Sequence, residues 1–175
     1  MRKKTKASVM ALCGVLAALA MVMMFLSGVL PFASIACPVL ASLILVPVYT
    51  ECGNKWGMLW YAAVAILSIL IAPSKESAIL FVFFGYYPLI KKYLGRLPFR
   101  YVWKLLYLNV AVLLAYGLML YVFKLDEVAS DFAEIQKWLI AVMLLLANLS
   151  FLVYDVLIDR IELQYLVRLR PKLKF

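Results

Sequence analysis

Histidine is missing from all 175 residues, and with it go the commonest metal ligand and the commonest general base near neutral pH. No Walker loop, GxSxG elbow, metal-spaced cluster or serine–histidine pair takes its place. The sequence therefore reads as a non-enzyme with neither a cofactor nor a metal. Cysteine is scarce. Cys13, Cys37 and Cys52 form no metal spacing and no disulfide framework, and they read as small core residues. Acidic residues number nine against 18 basic ones. Between Ala7 and Thr50 there is no charge of either sign for 44 residues, which is room for two membrane spans of about 20 residues each.

What is abundant is apolar. The chain is 67% hydrophobic with a mean hydropathy of +1.01, whereas a soluble domain is about half apolar. One small globular core cannot bury that excess, so the bilayer is its solvent. The net charge of +9 does not point to nucleic acid. Its basic residues cluster between the apolar runs, where they set topology and meet lipid head groups. The opening MRKKTK and the run behind it resemble a signal peptide, but the run is too long and has no small-residue cleavage site. It is expected to remain as a first helix.

Read in order, the chain predicts an all-α, six-helix transmembrane bundle with helices at about 7–29, 32–50, 56–72, 78–92, 101–123 and 137–158, and a basic amphipathic tail over 159–175. Ser27-Gly28 and Pro31 separate the first two helices. Pro38 and Pro47 predict kinks in the second. Six crossings put Lys75, Lys124 and Lys137 on one face and the other 15 of the 18 basic residues on the opposite face. The positive-inside rule then places both termini in the cytoplasm of a multi-pass cell-membrane protein. The loop 124–136, with Asp126, Glu127, Asp131 and Glu134, is expected outside.

The stretch APSKESAILFVFFGYYPLIKK, residues 72–92, draws most attention. Lys75 and Glu76 lie between short apolar segments, and a helix over 78–92 is only roughly 21 Å long against a core of ~30 Å. Their turn is thus expected below the outer surface, either as a charge pair orienting a ligand or as a solvated hairpin. Tyr86, in the aromatic block around Gly85 and Pro88, can stack on a flat ligand or sit in an interfacial belt. Asn109 and Tyr116 are seven residues apart on the fifth helix, as are Asn148 and Asp155 on the sixth. Each pair shares a face that either binds ligand or hydrogen-bonds to another helix. Asp155 lies near the cytoplasmic end, where a basic neighbour can pair with it. Ala7, Ala11, Gly14 and Ala18 make one face of the first helix nearly flat, suited to packing within the chain or to docking a partner. In the tail, apolar positions interleaved with Arg160, Arg168 and Arg170 suit anionic lipid.

Six spans with Ala7 and Ala11 at the start of the first helix resemble the substrate-binding S components of energy-coupling-factor transporters. The segment FFGYYPLIKK also resembles small bacterial multi-pass membrane proteins of no assigned function. The first resemblance implies a six-helix bundle with an outward-opening pocket for a vitamin or related micronutrient; the residues themselves offer Lys75, Glu76, Tyr86, Asn109, Tyr116 and Asn148 as its ligand contacts. It also implies a transmembrane coupling subunit and two ABC-type ATPases as partners, docking at Ala7 and Ala11, a face that the small-residue spacing extends to Gly14 and Ala18. The competing expectation is a membrane scaffold or accessory subunit that transports nothing. Topology is tested by external labelling of single cysteines in intact cells. Ser130→Cys is expected to label and Arg96→Cys is not; labelling at 96 would overturn the six-crossing order.

Overall fold

The computed structural model describes residues 6–30, 33–96, 98–121 and 137–171. All regular elements among them are helical: α1 Lys6–Leu26, α2 Ala33–Leu43, α3 Leu45–Cys52, α4 Asn54–Ile71, α5 Lys75–Phe84, α6 Tyr87–Leu94, α7 Arg100–Tyr121 and α8 Lys137–Gln164, followed by one π-helical turn, Tyr165–Leu169. The acidic loop 124–136 lies outside the described residues. Five stretches are long and apolar enough to cross a membrane: Ala7–Leu26, Ala33–Cys52, Asn54–Ile71, Arg100–Leu118 and Val142–Arg168. Within each, at most half the residues are buried in the protein, so the remaining apolar surface faces bilayer. The chain forms two compact units, Met1–Lys92 with Ile158–Phe175, and Tyr93–Leu157.

In the first unit, proline decides where helices break. Pro47 has no N–H for the carbonyl of Leu43, and α2 stops there. The expected second span is therefore two helices in line. Pro38, inside α2, likewise frees the carbonyl of Ser34. The fully buried Ser77 on α5 supplies the missing donor, with Oγ to Ser34 O at 2.9 Å. α2 and α5 accordingly pack together.

The expected fourth helix, 78–92, differs in both start and continuity. Ser74 caps α5 by accepting from Ser77 N–H at 3.2 Å, so the helix opens at Lys75. Pro88 then removes the donor for the Phe84 carbonyl, and the helix breaks between α5 and α6. The hydroxyl of Tyr61, on α4, donates to the carbonyl of Val82 at this break. Gly85 permits that approach: a Cβ there would meet Phe81 O at 2.5 Å and Tyr61 Cε2 at 3.0 Å.

Each end of the first unit has its own set of contacts. At one end, Gly28 lies against the Pro73 turn so closely that a Cβ would meet Pro73 Cβ at 2.6 Å. At the other, Lys92 lies beside Tyr49 and Glu162. The α5–α6 segment therefore runs the length of the unit, although neither half reaches span length alone. Met24, Leu45, Val46, Val48, Val64, Phe81, Tyr87 and Leu89 fill the middle.

The second unit is built on α7 and the first part of α8. Lys104, Leu108, Ala111 and Ala115 are buried at helical spacing on α7 and share one face. On α8, Phe151, Tyr154 and Asp155 are buried, and Lys104 pairs with Asp155 while the Tyr107 ring lies 6.5 Å from that of Phe151. The contacts run in opposite order along the two helices, 104 with 155 and 109 with 148, so the pair is antiparallel. α8 passes residue 159 without interruption, so the first part of the expected tail continues this helix, followed by the π-helical turn; residues 172–175 lie outside the described residues.

The Ser34–Ser77 bond gives a specific expectation. Ser77→Ala should cost about 1–3 kcal/mol by leaving a buried carbonyl unsatisfied. In a Pro38→Ala background, where the backbone donor is restored, the same substitution should cost far less. Thermal unfolding of the four proteins in detergent measures the coupling; equal losses in both backgrounds would remove the hydroxyl's assigned role.

Candidate functional site

Among the described residues of the second unit, a lysine and an aspartate are buried together. Lys104 Nζ is 2.6 Å from Asp155 Oδ2, and the two side chains are 8% and 9% exposed. Neither charge is stable in an apolar setting alone, and each supplies the other's counter-ion. Further along the same pair of helices, Asn109 and Asn148 bond reciprocally, Nδ2 to Oδ1 at 3.1 Å one way and 3.4 Å the other. Each also donates to a carbonyl one turn back, Asn109 to Leu105 O at 2.8 Å and Asn148 to Leu144 O at 2.7 Å. The amides thus form a closed interhelical pair. Tyr116 is half-buried two turns beyond Asn109.

A second polar constellation closes one end of the first unit. Glu162 accepts from Tyr49 hydroxyl at 2.9 Å and pairs with Lys92 at 2.7 Å. Lys92 also sits 4.8 Å from the centre of the Tyr49 ring, a cation–π contact. Glu51, whose side chain is only 2% exposed, accepts from Tyr165 hydroxyl and from Arg170 Nε, both at 3.2 Å. Lys91 pairs with Asp159 at 2.8 Å. Together these contacts fasten the C-terminal turns to α3 and α6.

The expected ligand residues fall into two groups. Lys75, Glu76 and Tyr86 belong to the first unit, and Asn109, Tyr116 and Asn148 to the second. Lys75 and Glu76 occupy the first turn of α5 rather than a free turn, and both are half-buried. Lys75 Nζ donates to the carbonyl of Ile69 at 2.7 Å. It thereby serves one of the carbonyls left without a partner at the end of α4, where a cation is also favoured by the helix dipole. Tyr86 is half-buried with its ring 5.6 Å from that of Tyr61. Ala7, Ala11, Gly14 and Ala18 are all exposed, and a Cβ at Gly14 would meet nothing within 4 Å. Among the described residues, nothing covers that face at these four positions.

Two groups go beyond what the sequence suggested. Lys104 counts in the sequence only among the 15 basic residues of one face, yet it shares a helix face with Leu108, Ala111 and Ala115 and is buried; that spacing was the available signal. Glu51 sits in an apparent polar turn, and its partners Tyr165 and Arg170 are too distant in sequence to be signalled locally. Among the described residues, no group of three or more histidine, cysteine or acidic side chains could hold a metal.

Comparison with known proteins gives no match: no family model matches the chain, and no curated protein or solved structure matches it significantly.

The Lys104–Asp155 pair predicts asymmetric mutational costs. Lys104→Met alone should destabilise by about 3–5 kcal/mol, because it removes the lysine counter-ion of the buried Asp155 carboxylate. Adding Asp155→Asn should recover most of the loss. Melting temperatures of the single and double variants in detergent decide; a double variant as unstable as the two single losses combined would contradict the pairing account.

Proposed function

We propose that the chain is the substrate-binding membrane subunit of an energy-coupling-factor transporter for a small molecule such as a vitamin or related micronutrient. The observation carrying this reading is the exposed face of α1, where Ala7, Ala11, Gly14 and Ala18 are uncovered. A flat helical face lets another helix approach closely, and packing is what drives helix association in lipid. The partners on this reading are a transmembrane coupling subunit and two ABC-type ATPases, which supply the hydrolysis that this chain does not perform. The chain crosses the cell membrane six times with both termini in the cytoplasm, the broken α5–α6 segment being the crossing that neither half could make alone. Asn109, Tyr116 and Asn148 are the ligand contacts proposed in the second unit. A polar ligand there exchanges its own hydrogen bonds for the reciprocal amide pair. Lys75, Glu76 and Tyr86 are the corresponding candidates in the first unit. The exposed Leu163, Leu166 and Val167 with Arg160 and Arg168 suit contact with anionic lipid.

The mutual satisfaction of Asn109 and Asn148 favours a second reading, a membrane scaffold or accessory subunit whose polar residues only join helices. Affinity purification from the native membrane separates the two. Transport predicts co-purifying ATPases, and Ala11→Trp should reduce their recovery about tenfold or more by blocking close approach. Because Ala11 is exposed, the melting temperature of the isolated variant should not change. Recovery of a different membrane complex without ATPases would favour the scaffold. Unchanged assembly of Ala11→Trp would remove α1 as the docking face.

A further inference from the structure

We propose that Cys13 and Cys52 are the two halves of a reversible disulfide that staples α1 to the turn between α3 and α4. Their Sγ atoms lie 2.9 Å apart across 39 positions of sequence. Trp60, on α4, donates its indole N–H to the carbonyl of Cys13 at 2.9 Å, which fixes the level of α1 beside α4. Cys52 is the last residue of α3, and Gly53 follows it at φ +86°. That left-handed conformation suits glycine and lets the chain turn at once into α4. α1 also packs on both α3 and α4, so the two thiols are brought together by three elements.

The separation discriminates between two kinds of thiol chemistry. Two thiolates on a tetrahedral metal, with bonds of about 2.3 Å, sit roughly 3.8 Å apart. A disulfide requires about 2.05 Å. The observed 2.9 Å is already shorter than the metal-bridged spacing. Two further ligands would also be needed, and no group of three or more metal-binding side chains exists among the described residues. Cys13 and Cys52 are both half-buried, whereas Cys37 is buried, so a small oxidant can reach the pair but not the third thiol.

The oxidant is a low-molecular-weight disulfide. One protein thiolate attacks it, forms a mixed disulfide and expels one small thiol. The second protein thiolate attacks the protein sulfur of that mixed disulfide and expels the other small thiol. Cys13 and Cys52 together lose two electrons and two protons, and the oxidant is reduced to two thiols. The product holds α1, with its outward small-residue face, covalently to the end of α3.

The test uses the full-length chain in detergent, treated with oxidised glutathione, denatured, alkylated and weighed intact. Fully reduced protein has three free cysteines and should take three alkyl groups. Oxidised protein should take one, at Cys37, retain no glutathione and recover all three sites with dithiothreitol. Cys37→Ser should still close its pair, while Cys13→Ser and Cys52→Ser should never lose two thiols without an adduct. Three reactive thiols after oxidation, a glutathione adduct that does not resolve, a covalent dimer, or closure in Cys13→Ser would each overturn the proposal.

Discussion

The carbonyl of Ser34, stripped of its helical donor by Pro38 and taken up by the hydroxyl of Ser77, states the constraint on which the structure depends. In an apolar solvent no water satisfies a freed backbone group, so another part of the protein must. The same demand appears wherever a helix ends or breaks. Tyr61 serves the Val82 carbonyl at the α5–α6 break, and Lys75 serves Ile69 at the end of α4. These bonds connect different helices, so breaks in individual helices become links between them. A broken α5–α6 segment can thereby run the length of α4 without span-length helices of its own.

Charge follows similar logic. Lys104 and Asp155 are tolerated inside the second unit because they meet, and Asn109 and Asn148 because each completes the other. With these groups paired internally, the exposed surface is left mainly to apolar side chains and small residues. Large exposed side chains such as Val15, Leu70 and Leu145 suit fluid lipid. The small residues of α1 leave a flatter face that lets another helix approach closely.

Much of the helical order was legible because long apolar runs admit little else. α7 begins within one residue of its expected start, and Gly85 and Pro88 stand inside the expected fourth helix where it breaks into α5 and α6. The start of α5 was misplaced by three residues because Lys75 and Glu76 resemble a solvated turn. Ser74, three residues before Ser77, makes them the first turn of a helix instead. Asn109 and Asn148 could be recognised singly from their spacing, but their pairing requires the antiparallel register of α7 and α8. Glu51 and Arg170 had no local signal, since folding alone brings them together. Ala7, Ala11, Gly14 and Ala18 were recognisable as a stripe, while their exposure depended on which face of α1 meets α2, α3 and α4.

Ligand binding is measured most directly by native mass spectrometry of the protein released gently from the membrane of cells grown in nutrient-rich medium. A substrate-binding subunit should give, beside the bare 19.9 kDa chain, a second species heavier by one small organic molecule that is lost on denaturation. Bare polypeptide alone, after such growth and gentle release, would contradict a substrate-binding role.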